Sequence, residues 1–324
     1  MGEDAKRVCA YHLDGRGGGR ELDDAGVRNA AGADGLLWIH LAIDAAATAD
    51  WLRQESGLDP QVVEGLLEKG TRPHVATFGE GVLVFLRGVN LNPGADPEDM
   101  VSIRVWIEAT RVISVRCHCL AAVSDLREAI ALEKGPRTSG EFLVQLADKL
   151  TDRMGPVIDG LEEGVDDLEE QMLSCTTAEH RNRLGELRRQ AIALRRYLSP
   201  QREALSRLSQ DAAALLSESE QRELRDVGNG VQRYVEALDA ARERAAVIHE
   251  EVGHALAEQT NRTIYLLSIV TTLFLPLGLI TGLLGINVGG IPGAEEPRAF
   301  VAVIAVLAVL VGVQVAVLRR LGHL

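Results

Sequence analysis

The sequence of 324 residues predicts an α+β domain, followed by long α-helices and two C-terminal transmembrane helices. Three observations carry that fold class. Residues 264–284 (IYLLSIVTTLFLPLGLITGLL) are 21 consecutive positions without a charge, and residues 299–318 (AFVAVIAVLAVLVGVQVAVL) are another 20. Each run can cross a hydrocarbon core of roughly 30 Å at about 1.5 Å rise per residue. From about residue 138, apolar residues recur at helical spacing, whereas before it short apolar runs alternate with helical stretches and turn residues.

The first 135 residues carry five strand-like runs, over 8–13, 36–42, 82–91, 101–109 and 111–117. Helical stretches fall over 46–54, 60–68 and 121–133. Asn92-Pro93-Gly94, followed by ADPED, reads as a loop between paired strands. Because strands and helices do not alternate strictly, a mixed or antiparallel sheet is expected. This α/β domain is taken as 1–137, a helical hairpin as 138–216 and a long stalk helix as 217–262. A first span follows over 263–285, a loop over 286–298, a second span over 299–318 and a tail over 319–324.

Three S/T-x-x-E sequences mark helix starts: Thr138 with Glu141, Thr176 with Glu179, and Ser217 with Glu220. Val157, Leu161, Val165, Leu168 and Met172 form one apolar stripe. Leu184, Leu187, Ala191, Leu194, Leu198, Leu205 and Leu208 form a second, in which Pro200 is expected to kink the helix. Val231, Val235, Leu238, Ala241, Ala245, Ile248, Val252 and Leu256 form a third. From Val231 to Leu275 there is no proline and the only glycine is Gly253, so this helix is expected to run straight into the first span.

Charge and composition exclude several function classes. Hydrophobic residues at 46% and charged residues at 25% rule out a disordered chain. A net charge of -13 argues against nucleic acid as a partner. Four scattered cysteines, Cys9, Cys117, Cys119 and Cys175, make no disulfide framework and suit a reducing compartment. The first residues, MGEDAKRVCAYHLDG, have neither the apolar core of a signal peptide nor an Arg-rich, acid-poor stretch, so no targeting segment is expected there. GRGGGR at 15–20 lacks the Gly-Lys-Ser/Thr of a phosphate loop, and no nucleophile constellation stands out, so the chain does not read as an enzyme or an ATP-driven pump. Arg262 before the first span, Arg319 and Arg320 after the second, and Glu295 and Glu296 between them place both termini in the cytoplasm by the positive-inside rule.

The two spans differ in kind. The second is aliphatic except for Gln314, whereas the first carries Ser268, Thr271, Thr272, Thr281, Pro276 and a Gly278/Gly282 pair. Asn261, Ile264, Leu267, Thr271, Leu275, Gly278 and Gly282 share one helical face, alternating polar, apolar and small positions as a pore lining would. The alternative is that the hydroxyls bond back to helical carbonyls, especially beside Pro276, which frees the carbonyl of Thr272. Two spans cannot enclose a pore, so several copies would have to assemble with the first span inside. Metal-binding candidates are His254 with Glu250 and Glu258, each four residues away, where ordinary ion pairing is the competing reading. Cys117-His118-Cys119 offers zinc-type ligands, but with no second pair near it.

The segment TNRTIYLLSIVTTLFLPLGLITGLLGINVGGIPG (260–293) resembles the signature of the CorA family of divalent-cation transporters. In that family the first span ends in Gly-Met-Asn; here the tripeptide is Gly285-Ile286-Asn287. The aliphatic middle residue, followed by Gly289-Gly290-x-Pro292-Gly293, resembles the ZntB branch, associated with zinc. Residues 71–116 are similar to the cytoplasmic domain of that branch, and LRRYLSPQREALSRL (194–208) to the CorA helical region.

The resemblance implies a homopentameric, funnel-shaped transporter in the cytoplasmic (inner) membrane, with no cofactor beyond the transported Zn²⁺ or other divalent cation. Asn287 would stand at the outer pore mouth with Gly285 and Ile286, Asn261 near the cytoplasmic end, and Ile264, Leu267, Thr271, Leu275, Gly278 and Gly282 along the path. Glu295 and Glu296 would concentrate cations at the mouth. The partners implied are further copies of the chain, the lipid bilayer, divalent metal ions and protons. A Mg²⁺ or Co²⁺ channel of the CorA type is the alternative, and a membrane-anchored coiled-coil scaffold or sensor is the reading from another class.

Overall fold

The computed structural model describes residues 8–30, 35–44, 46–70, 72–174, 177–212, 215–286, 293, 296 and 298–321. By internal contacts the chain divides into two units, Met1–His249 and Glu250–Leu324. In chain order the elements are β1 (Cys9–Leu13), β2 (Gly19–Glu21), α1 (Asp24–Ala30), β3 (Leu36–Ala42), α2 (Ala46–Gln54), α3 (Pro60–Leu67), β4 (His74–Phe78), β5 (Gly81–Gly88), β6 (Val101–Ile107) and β7 (Arg111–Arg116). Then come α4 (Ala121–Ala131), α5 (Ser139–Asp152), α6 (Gly155–Ser174), α7 (Ala178–Asp211), α8 (Glu218–Leu284) and α9 (Ala299–Arg320).

The seven strands form one mixed sheet in the order β2-β1-β3-β7-β6-β5-β4. Only β3 and β7 pair in parallel; every other neighbour is antiparallel, as the irregular alternation in sequence implied. The two strands missing from the sequence pattern, β2 and β4, are the two edges of the sheet. Their residues are exposed or half-buried, so they lack the apolar runs that mark the central strands. One face of the sheet is closed by a core in which Leu37, Ile39 and Leu41 of β3 meet Leu52 of α2 and Val62, Val63 and Leu66 of α3. On the other face Trp38 meets the edge of Phe142 from α5, their ring centres 5.1 Å apart.

That second face also buries a small polar group. Trp38 Nε1 donates to Ser114 Oγ at 2.8 Å, and the same oxygen lies 2.8 Å from Nδ1 of His40. His40 is completely buried, and its Nε2 has no partner among the described residues. Burial, reinforced by the charges of Arg116 and Arg127, lowers its pKa from 6.5 to about 3.

The helical region follows the sequence stripes with small corrections. In α7 all seven expected positions are buried, and the helix continues through Pro200 without interruption. In α6 the stripe begins at Ile158, which is buried, and not at Val157, which is half-buried. The third stripe holds from Val231 to Val252, but Leu256 is exposed. Thr176 lies outside the described residues; Thr177 is the cap of α7, its side chain accepting from His180 N at 3.2 Å.

The other two caps meet. Thr138 accepts from Glu141 N at the start of α5, and Ser217 Oγ accepts from Glu220 N just before α8. Glu220 completes both: its carboxylate accepts from Ser217 N at 2.6 Å and from the Thr138 hydroxyl at 2.5 Å. It sits so close to Gly140 that a Cβ there would lie 2.7 Å from its oxygen, so any side chain at that position has to displace the carboxylate. One carboxylate therefore terminates two helix N-termini, where both helix dipoles favour negative charge. Partial burial raises its pKa, but the hydrogen bonds from Thr138, Ser217 and the Glu141 amide outweigh that and leave it below 4.5.

Both groups have folded pKa values below their unfolded ones, so their stabilisation is present at neutral pH and lost as pH falls. Glu220→Ala should cost about 1 kcal/mol at pH 7, the usual value of a cap, and the difference from the parent should shrink on acidification below about pH 4.5. For His40 the window opens at pH 6.5 and extends down towards pH 3. Thermal melts of His40→Gln against the parent should show the parent losing up to about 1.4 kcal/mol more per pH unit within it. Parallel pH profiles would remove His40 as the cause.

Candidate functional site

The candidate pathway lies on the C-terminal part of α8, within the second unit. α8 is one helix of 67 residues whose last third is apolar enough to cross a membrane, and α9 of 22 residues passes the same test. By length and composition the chain thus has two C-terminal helices able to span a membrane.

The serine and threonine hydroxyls of the first span bond back to the helix. Ser268 donates to Ile264 O at 2.9 Å, Thr271 to Leu267 O and Thr272 to Ser268 O at 2.8 Å, and Thr281 to Leu277 O at 2.9 Å. Back-bonding satisfies each hydroxyl proton inside the helix and leaves its oxygen lone pairs facing outward. Such a surface offers weak acceptors without a charge. It lies among Ile264, Leu267, Ser268, Thr271, Thr272, Leu275 and Pro276, which together line a shallow groove of about 560 Å³.

The expected stripe is open along its length. Ile264, Leu267 and Leu275 are 56%, 65% and 70% exposed, Asn261 and Thr271 are exposed, and a Cβ at Gly278 or Gly282 would meet nothing within 4 Å. Half-shielded residues recur instead at Ile269, Leu273, Pro276, Leu277 and Ile280. At about 100° per residue, Thr271, Leu275 and Gly282 stand roughly 200° from Ile269, Leu273 and Ile280, close to opposite on the helix. The small and polar residues are thus on the side free of intrachain shielding.

One contact was missed by sequence reasoning although both its ends were noticed. Gln314, the single side-chain amide of α9, donates through Nε2 to Thr272 O at 3.2 Å. That carbonyl is the one Pro276 cannot serve, because proline has no N–H to return to residue i-4. The signal was a lone amide in one span and an orphaned carbonyl in the other. Pairing them requires knowing that the two helices meet at that level.

The remaining candidates separate. Gly285 closes α8, its N–H reaching Thr281 O at 3.0 Å, and Ile286 follows it exposed; Asn287 and Glu295 lie outside the described residues. Glu296 is exposed in a turn, its N–H bonded to Gly293 O. His254 Nε2 lies 3.7 Å from Glu250 Oε1, both largely exposed, and Glu258 does not join them. Among the described residues no group of three His, Cys, Asp or Glu side chains could hold a metal. Cys117 and Cys119 do not converge as a zinc pair either. Cys119 and His118 are exposed, while Cys117 Sγ accepts from Arg104 Nη1 at 3.2 Å and from Ser102 Oγ at 3.6 Å.

Comparison with known proteins places this geometry. Residues 33–320 match the family model described as "CorA-like Mg2+ transporter protein". The chain is 43% identical over 305 residues to the divalent cation transporter CmaX of Pseudomonas aeruginosa, covering 92% of this chain and 91% of that one. It is 35% identical to the zinc transport protein ZntB of Pectobacterium atrosepticum, covering 94% and 92%. A solved structure of full-length CmaX superposes with a TM-score of 0.86 at 41% identity, over 99% of each chain.

The Gln314 contact predicts a conditional cost. Gln314→Leu should lower the stability of the detergent-solubilised protein by roughly 0.6–2 kcal/mol, the range for hydrogen bonds between membrane helices. In a Pro276→Ala background the new backbone N–H serves Thr272 O, and the same substitution should cost close to nothing. A double-mutant cycle on thermal unfolding measures the coupling; additive losses would mean that Gln314 does not serve the proline's carbonyl.

Proposed function

The chain belongs to the CorA-like Mg2+ transporter family and is a divalent cation transporter, and on that footing we propose that it moves Zn²⁺ across the cytoplasmic membrane as a homopentamer with both termini inside. The observation that carries the reading is the unshielded stripe of α8: hydroxyls, two glycines and apolar residues on one face of a membrane helix, while residues 299–318 of α9 are apolar but for Gln314. A helix that only anchors needs no such asymmetry.

In this proposal five first spans ring the path and the second spans face lipid. Divalent cations hold their water tightly. Amide oxygens of Asn287 at the mouth would accept hydrogen bonds from that water without stripping it, and partial charges attract a cation without trapping it. Glu295 and Glu296 would raise the local cation concentration. Rings of Leu267 and Leu275 would close the path by excluding water, and the back-bonded Thr271 between them offers an acceptor to a passing hydrated ion. A proton or ion gradient supplies the driving force.

Zinc is favoured by identity of about a third, spread over nearly the whole length, to proteins named for zinc transport. Two observations favour the second reading, a Mg²⁺ or Co²⁺ channel: the family description names Mg2+, and the relative at 43% identity is named for divalent cations without distinction.

Uptake into liposomes holding the purified protein separates the two. Zn²⁺ flux should exceed Mg²⁺ flux and grow with an imposed pH gradient, and Asn287→Ala should reduce it roughly tenfold or more. Magnesium flux indifferent to pH, with no zinc flux, would overturn the zinc reading. Well-formed assemblies that pass neither ion would overturn the pathway itself.

A further inference from the structure

The second half of α7 and the first part of α8 enclose a groove of about 560 Å³ inside the first unit. Its lining side chains carry polar ends, with Arg202, Ser206 and Arg207 from α7 facing Arg225, Asn229 and Gln232 from α8. Gly228 lies at its wall, and the one acidic side chain is Glu203. Three guanidiniums against one carboxylate is an anomaly in a chain of net charge -13.

Several arginines elsewhere in these helices have acidic partners. Arg195 of α7 pairs with Asp239 of α8, and Arg244 of α8 pairs with Asp166 of α6. In the groove, Arg202 reaches Glu203 only at 3.8 Å and is held instead by donating to Gln232 Oε1 at 2.6 Å. Arg225 Nε donates to Gln221 O at 3.1 Å, which fixes the guanidinium along its own helix. Among the described residues neither Arg207 nor Arg225 forms an ion pair.

We propose that this groove binds a soluble, multivalent oxyanion of the phosphate class, held by Arg202, Arg207 and Arg225. Guanidiniums present paired N–H donors that match phosphate oxygens, and several around one cavity repel each other until an anion neutralises them. Asn229 and Ser206 add neutral hydrogen-bonding groups. No aromatic or aliphatic side chain lines the groove, so recognition is of the phosphate and not of an attached ring or chain. The volume admits a pyrophosphate or a small phosphorylated metabolite. The site is independent of the ion path, although it bridges α7 to the helix that carries that path.

The test is calorimetric titration of the full-length protein in lipid-free detergent with pyrophosphate at low ionic strength. Arg207→Gln/Arg225→Gln should weaken binding roughly tenfold or more while leaving the melting temperature within a degree or so of the parent. Arg222→Gln removes the same charge from α8 outside the groove and should leave binding within about twofold. Equal binding by parent and double variant overturns the proposal, as does an equal loss in Arg222→Gln. A double variant that binds weakly only because its assembly has become smaller, seen by light scattering, overturns it too, since the arginines would then be pairing with another copy of the chain.

Discussion

A membrane interior supplies no water to a backbone carbonyl, and the first span is shaped around that constraint. Within residues 264–284 each polar group must find its partner inside the helix or on a neighbouring one. Four hydroxyls do so by bonding back to the preceding turn. Pro276 creates the one place where the helix cannot serve itself, and the amide of Gln314 answers it. The composition of α9 follows. Aliphatic residues can face lipid all round, and the single amide stands where an orphaned carbonyl needs a donor.

Most of the fold was legible because burial follows periodicity. The seven apolar positions of α7 and seven of the eight in the stalk stripe were identified before any coordinates, since a helix that packs along one face must repeat apolar residues every three or four positions. The failures have physical causes. Edge strands β2 and β4 bury little, so nothing in their sequence distinguishes them from loop. Val157 and Ile158 are both apolar and adjacent, so spacing alone cannot choose which faces inward. Thr176 and Thr177 are likewise both competent caps. Pro200, where a kink is expected, lies inside a helix that runs on past it, with Gln201 buried and accepting from Arg87 N at 2.7 Å.

Legibility of the candidate sites divides along the same line. The polar and glycine positions of the first span were readable because polarity in an apolar run is conspicuous against its background. Arginines on a soluble helix are not conspicuous. Arg202, Arg207 and Arg225 look like ordinary solvated charges until two helices bring them to one groove without carboxylates to match. The Cys117-His118-Cys119 triplet is conspicuous in the opposite sense: its ligand chemistry suits zinc, but no second pair lies near it in sequence, and Cys117 accepts from the buried guanidinium of Arg104.

The stripe on α8 also bears on assembly. Its leucines and isoleucine are more than half exposed in the single chain, which a lipid environment could accept. The glycines and hydroxyls beside them could not be placed against lipid to the same advantage. A Cβ-free patch gives lipid tails less to contact, whereas it lets another helix approach closely, and outward lone pairs gain nothing from hydrocarbon. Among the described residues nothing approaches Gly278 or Gly282 within 4 Å of a Cβ position, and α9 engages α8 through the Thr272 carbonyl. The face is therefore a poor lipid surface and an unused packing surface together. Both would be relieved by the proposed assembly, in which further copies of α8 gather around a shared, partly hydrated axis and α9 turns outward to the bilayer.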